Sequence, residues 1–119
     1  AKTDILILLL PATAATQKAF GQEEIDALPS HAVVVNVGRG ATLDEDALIA
    51  ALESGKIRSA AVDVTATEPL PADSPLWDAP NLIITPHGAG GRPVGADELI
   101  AKNVEAFLAG DRLTNEVER

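Results

Sequence analysis

Ala32-Val33-Val34-Val35-Asn36-Val37, closed by Gly38-Arg39-Gly40 and followed by Asp44-Glu45-Asp46-Ala47-Leu48, is the stretch that decides the fold. Its apolar run is continuous rather than alternating, which suits a parallel strand covered on both faces. The segment behind it, Asp44 to Ser54, sets Ala47, Leu48, Ala51 and Leu52 on one face. Thr42 or Asp44 can cap its start, its first turn is acidic, and Gly55-Lys56 marks its end, so a helix is expected there.

The same grammar extends to either side. Ile5 to Leu10, stopped by Pro11, reads as a strand, as do Ser59 to Val64 and the shorter Leu82 to Thr85 ahead of Pro86. Gln22 to Leu28, between Gly21 and Pro29, predicts a short helix. Strand, helix, strand, helix, strand is the order of an α/β chain with a parallel sheet. Glu68 to Pro80 is rich in proline and aspartate, without an apolar period, and reads as a loop over the sheet edge. Beyond a glycine-rich stretch at Gly88-Ala89-Gly90-Gly91, a last helix is expected from about Gly95 to Leu108, with Leu99, Ile100, Val104, Phe107 and Leu108 at helical spacing and Gly110 closing it. The final polar residues read as a tail or a docking segment.

Composition narrows the partners. The 119 residues suit one domain, and 46% hydrophobic against 23% charged residues is the balance of a packed protein. A net charge of −9 opposes nucleic acid and anionic membranes, both of which would repel it. With no cysteine, disulfides, thiolate nucleophiles and cysteine-held zinc are excluded, and a reducing cytoplasm is the default location. The first apolar run is too short to span a bilayer. The chain has no initiator methionine and begins directly ahead of that run, so a fragment of something longer is expected.

Ligands of parallel α/β sheets bind beyond the carboxyl ends of the strands, so the polar residues after each run come first. These are Pro11 and Thr13; Asn36, Arg39 and Gly40; Asp63, leading to Glu68; and Thr85-Pro86-His87. Arg39 lies between two glycines that let a substrate approach its planar fork, which matches a carboxylate; a surface arginine in a turn is the other reading. His87 is a proton donor or a structural histidine. Glu68 either stabilises its imidazolium or is simply solvated. Asp63, inside an apolar strand, is hydrogen-bonded in the core or faces a ligand. His31 precedes a strand, on the side opposite the crevice, and reads as a solvated turn residue. No cluster has metal-ligand spacing, no Gly-x-Ser-x-Gly elbow is present, and no phosphate-binding Gly-x-Gly-x-x-Gly follows a strand.

The string Asn36-Val37-Gly38-Arg39-Gly40 with Asp44 to Leu48 resembles the signature of the D-isomer-specific 2-hydroxyacid dehydrogenases. Leu10-Pro11-Ala12-Thr13, Ala61-Val62-Asp63-Val64, Glu68-Pro69-Leu70-Pro71, Ser74-Pro75-Leu76-Trp77 and Thr85-Pro86-His87 recur in that family in this order. The resemblance implies half of a Rossmann-type doubly wound parallel sheet with a C-terminal linking helix. Residues 1–91 would be the second half of the dinucleotide-binding domain, and 92–119 the helix and tail toward a substrate domain.

It further implies that Arg39, Glu68 and His87 are catalytic. Arg39 would bind the substrate carboxylate, and His87 would give a proton to the keto oxygen, held oriented and protonated by Glu68. Asp63 would hydrogen-bond the nicotinamide carboxamide. Pro11, Thr13, Val37, Gly38, Arg39 and His87, with the Gly88 and Gly90 backbone, would line NAD or NADP. The expected reaction is reduction of a small 2-keto acid such as glyoxylate or hydroxypyruvate to the D-2-hydroxy acid, in a cytoplasmic homodimer with no metal. The phosphate loop and the residue selecting NAD or NADP are missing from this sequence, and Gly88 stands where many members carry a branched aliphatic. Arg92 is expected to be a solvated loop residue, or to reach a substrate or partner subunit. Two rival readings stay open: a non-catalytic dinucleotide-sensing module of the same fold, and a truncated chain that binds nothing.

Overall fold

The computed structural model describes residues 2–91 and 93–116. Four strands, β1 (Ile5–Leu8), β2 (Val33–Asn36), β3 (Ser59–Val62) and β4 (Leu82–Ile84), form one sheet in the order of the chain. All three pairings are parallel, with Leu8 opposite Asn36, Asn36 opposite Val62, and Val62 opposite Ile84. The last residues of all four strands therefore stand in one row, and the segments leaving them share one edge.

Helix α1 (Gln22–Asp26) joins β1 to β2, and α2 (Glu45–Glu53) joins β2 to β3. Asp44 caps α2, accepting from the Ala47 N–H, whereas the Thr42 hydroxyl is taken by the Arg39 carbonyl at 2.6 Å. Lys18 pairs with Asp44 at 3.0 Å and holds the Asp44 carboxyl below its usual range. Gly55, at φ 68°, ends the helix in the left-handed conformation that costs other residues most. Ile25, Leu28, Ala47, Leu48, Ala51 and Leu52 from the helical segments close over Leu6, Leu8, Val34, Ala60, Val62 and Ile84 of the sheet.

Those sheet residues occupy alternate positions, all on one face. The other face is open at its edge strands, where Ile5 is 60%, Ile7 54% and Ile83 64% exposed, while Val33, Val35 and Ala61 between them are half-buried. The expectation of strands covered on both faces is thus corrected for this chain. Sequential strand order sends α1 and α2 to the same side. Strand β1 also ends at Leu8, leaving Leu9 and Leu10 exposed, because the pairing stops opposite Asn36, where the chain turns.

The segment from Glu68 to Pro80 is not wholly a loop. A single 3₁₀ turn at Pro75–Asp78, capped by Ser74, inserts Leu76 into the interior at 2% exposure. Helix α3 (Ala96–Ala109) ends at Gly110, φ 77°, and none of its residues is buried. Ile100, Val104, Phe107 and Leu108 are each more than half exposed along it. The tail folds back on α3 through Asn103, whose side chain bonds both the N–H and the carbonyl of Thr114. His31 is a solvated turn residue that touches Asp4 at 2.8 Å. Arg92 lies outside the described residues.

Candidate active site

Each strand end is shaped by the residue that leaves it. After β2, the fully buried Asn36 turns the chain: its Oδ1 accepts from the Gly38 N–H at 3.1 Å and its Nδ2 donates to the Arg39 carbonyl. Arg39 itself is exposed, with Nη1 donating to the Gly38 carbonyl at 2.7 Å. The flanking glycines are not there to admit a substrate, contrary to the sequence expectation. A Cβ on Gly38 would lie 3.0 Å from the Leu10 carbonyl oxygen, and one on Gly40 would lie 2.0 Å from the Thr65 carbonyl group. Both glycines let the chain's own backbone approach.

The Gly40 contact matters because it joins two strand ends. The Thr65 N–H donates to Glu68 Oε1 at 3.0 Å, and the next N–H, of Ala66, donates to Glu45 Oε1 in the first turn of α2 at 2.7 Å. Glu68 is thereby fixed on one oxygen and presents the other, Oε2, to His87 Nδ1 at 2.8 Å. The His87 bond, then the Thr65 N–H, hold the Glu68 carboxyl below its usual range, and the positive charge of Arg39 acts in the same direction. Glu68 is therefore ionised near neutrality. A carboxylate only accepts, so Nδ1 carries the proton and Nε2 is left for other work.

His87 takes the left-handed conformation, φ 52°, a strain of roughly 1 kcal/mol or more for a residue with a side chain. Asp63 holds it there. The Asp63 carbonyl accepts from the His87 N–H at 2.8 Å, Oδ1 accepts from the Thr85 hydroxyl and the Gly88 N–H, and Oδ2 accepts from the Ala89 N–H. These donors, Thr85 foremost, keep the Asp63 carboxyl below its usual range. A carboxylate offers about four acceptor positions. Three are filled by the described residues, and a further N–H donor could take a fourth, on Oδ2.

Two concavities flank these residues. The larger, about 610 Å³, is lined by Asp63, Thr65, Glu68, Pro69, Leu70, Trp77, Ile84, Thr85, Pro86 and His87. The smaller, about 270 Å³, is lined by Leu9, Leu10, Pro11, Val37, Gly38 and Arg39. Asp63, Glu68 and His87 are thus brought together in one cleft, while Pro11, Val37, Gly38 and Arg39 share the other. Thr13 lies beside Pro11 in a turn, its hydroxyl 3.0 Å from that of Thr16, which donates to the Pro11 carbonyl. Gly88 and Gly90 meet nothing at the place of a Cβ.

The sequence placed Thr85 among the strand-end candidates without giving it a role, and did not single out Thr65, Leu70 or Trp77 as site residues. Thr85 had a signal, a hydroxyl directly before Pro86-His87. Thr65 had none, since it acts through its backbone N–H.

A family model described as D-isomer specific 2-hydroxyacid dehydrogenase, NAD binding domain, matches residues 1–89. The glyoxylate/hydroxypyruvate reductase A of Salmonella paratyphi B is 42% identical over 99% of this chain and 38% of its own length. Among solved structures, a D-isomer specific 2-hydroxyacid dehydrogenase from Xanthobacter autotrophicus, in complex with NADPH and MES, is 41% identical with a TM-score of 0.86, over 97% of this chain and 48% of the other. An NADPH-dependent glyoxylate/hydroxypyruvate reductase from Sinorhizobium meliloti, in complex with NADP and sulfate, is 32% identical with a TM-score of 0.87, over 98% of this chain and 39% of the other. The chain spans about two fifths of the length of the curated relatives it matches, 38% to 40%. With three quarters of its length under the family model and its four-stranded parallel sheet superimposed on members of known structure, the chain belongs to the D-isomer specific 2-hydroxyacid dehydrogenase family.

Proposed function

We propose that the enzyme containing this chain reduces a small 2-keto acid to the D-2-hydroxy acid with NADPH or NADH, and that Arg39, Glu68 and His87 are its catalytic residues. The observation that carries this reading is the 2.8 Å contact between His87 Nδ1 and Glu68 Oε2 at the larger cleft. It leaves an imidazole with one nitrogen occupied and the other unbound by any described residue, which is what a general acid needs. Glyoxylate and hydroxypyruvate are the substrates to try first, because relatives carry those names. NADPH is the cofactor to try first, since solved neighbours are described with NADPH or NADP.

In this reading the exposed Arg39 guanidinium takes the substrate carboxylate in its fork. His87 Nε2 gives its proton to the keto oxygen as negative charge develops there, and the ionised Glu68 keeps Nδ1–H in place throughout. When bound, the nicotinamide cofactor supplies the hydride to the keto carbon. The open position on Asp63 Oδ2 fits an amide N–H of the cofactor's carboxamide. Pro11, Thr13, Val37 and Gly38, with the backbone of Gly88 and Gly90, would line the rest of it.

Residues 1–91 are assigned to the second half of the dinucleotide-binding domain and 92–119 to a linking helix and tail. The family match, ending at residue 89, and the exposed apolar face of α3 support this division. The cytoplasmic homodimer expected from the sequence belongs to the same proposal.

The test is NADPH oxidation with glyoxylate and hydroxypyruvate. His87→Gln should lower kcat by about 10²–10⁴-fold with little change in KM. Arg39→Ala should act mainly on KM, raising it by about 10- to 100-fold, the worth of hydrogen bonds to a charged group. Near-normal turnover by the His87 variant would reject the assignment. An enzyme that bound NADPH yet reduced neither acid would favour a dinucleotide-sensing module instead.

A further inference from the structure

His87 sits in an exposed loop, and its side chain is 47% exposed. Glu68 fixes one ring nitrogen, but a single contact at the tip of a side chain does not set where the ring begins. That is decided by the backbone, which here holds a conformation that residues with a Cβ avoid. The glycines beyond it do not impose it by crowding, because the place of a Cβ at Gly88 and Gly90 is empty and neither has a positive φ.

It is held by the bonds to Asp63, together with a second contact of the His87 N–H, to the Thr85 carbonyl at 3.0 Å. Residue 85 donates from its side chain, and residues 87, 88 and 89 donate from the backbone, so one aspartate brackets His87 on both sides. Asp63 is itself only 7% exposed and comes directly after β3. The Gly88 and Ala89 N–H groups reach different oxygens of the same carboxylate, so they are satisfied together only at one orientation of its plane. Among the described residues, the Thr85 hydroxyl is the one side-chain donor that shares an oxygen with them. Without it, Oδ1 loses a charge-assisted bond, and the plane is held against rotation about the Cβ–Cγ axis by the two backbone N–H groups alone. The carboxylate, the two N–H groups bound to it and the imidazole they frame are then less tightly placed.

We propose that Thr85 is a positioning residue for His87, acting through the orientation of the Asp63 carboxylate. The inference rests on the reading of His87 as the proton donor. Thr85 is the informative place to test it, because Asp63 also has an acceptor position assigned to cofactor, so that changing Asp63 would disturb two functions at once.

The experiment compares Thr85→Val, which keeps the shape and deletes the hydroxyl, with Thr85→Ser, which keeps the hydroxyl and deletes the methyl, in the active enzyme. Thr85→Val should lower kcat by about 10- to 100-fold, the cost of a small misplacement of a reacting group, and leave KM for the 2-keto acid within about twofold. Thr85→Ser should recover most of the rate. An unchanged kcat in Thr85→Val overturns the proposal, and so does an equal loss in both variants, which would trace the effect to packing by the methyl. Amide exchange gives a second readout that needs no turnover. In Thr85→Val the Gly88 and Ala89 amide protons should exchange faster and the His87 imidazole resonances should move, and spectra unchanged at these groups would overturn it. If the wild-type enzyme reduces no 2-keto acid, the proposed function fails, while the amide protons still decide the fate of the clamp.

Discussion

The two glycine-containing loops, Gly38-Arg39-Gly40 and Gly88-Ala89-Gly90-Gly91, look alike in sequence and are held in different ways. In the first, glycine is required by contact: backbone of Thr65–Ala66 occupies the place where a Cβ on Gly40 would stand, and backbone of Leu9–Leu10 crowds that of Gly38. In the second, the glycines face open space, and the loop is held by hydrogen bonds to Asp63. Steric exclusion acts whatever the pH and tolerates no side chain. A carboxylate clamp tolerates side chains but depends on its own ionisation. Arg39 and His87 are thus positioned by two different kinds of force, which respond to different perturbations.

The largest effect is expected where exclusion is tightest. Gly40→Ala would put a Cβ 2.0 Å from the Thr65 carbonyl carbon and oxygen, and the obstructing atoms are backbone, with no rotamer to change. The Arg39 turn and the Thr65–Glu68 segment would have to part. We expect a loss of about 3 kcal/mol or more in unfolding free energy, measured by chemical denaturation. A variant with the wild-type midpoint would mean that the two loops are not in backbone contact, and the comparison would collapse.

Acid separates the two loops next. The Asp63 carboxyl lies below its ordinary value of 3.8, held chiefly by Thr85, and that of Glu68 lies below 4.5, held chiefly by His87. A lowered pKa in the folded state means that these groups favour folding fully above the ordinary values. That contribution is lost as the pH falls from there through the depressed ones. Stability should therefore change little from neutrality down to about pH 5 and fall below it. Asp63→Asn, whose amide cannot satisfy the Ala89 and Gly88 N–H groups together, should start lower at neutral pH and fall less steeply in acid. Equal slopes for the two proteins would show that the clamp does not titrate with folding.

The range of the interactions decides which of these features were legible in the sequence. The strands and their ends were, because an apolar run and the polar residue that leaves it are neighbours in the chain. The helix cap at Asp44 was legible for the same reason. The open face of the sheet was not, since continuous apolarity in Ile5 to Leu10 says that a face is meant to be covered and not whether the covering layer lies in the same chain. Leu76 was missed because one 3₁₀ turn has no period to read. Gly40 was misread because the atoms that require it belong to Thr65, in another loop. Asp63 offered two readings, core or ligand, and the structure adds a third, a clamp on the His87 loop. That role depends on the pairing of β3 with β4, which brings residues 63 and 85 side by side. The pair Glu68 and His87 was anticipated through the family resemblance, and the structure adds what holds each of them.

The smallest effect is also the sharpest contrast, because the same substitution that should disrupt residue 40 should be welcome at residue 88. Gly88 contributes its N–H to Asp63, which alanine retains, its φ is outside the left-handed region, and its Cβ direction is empty. Alanine there removes conformational freedom from the unfolded chain and adds no contact in the folded one, so Gly88→Ala should stabilise by about 0.4–1 kcal/mol. The sign is what counts, since destabilisation by more than about 1 kcal/mol would mean that the His87 loop, like the Arg39 loop, is shaped by steric exclusion. The two glycine loops would then be held by one kind of force after all.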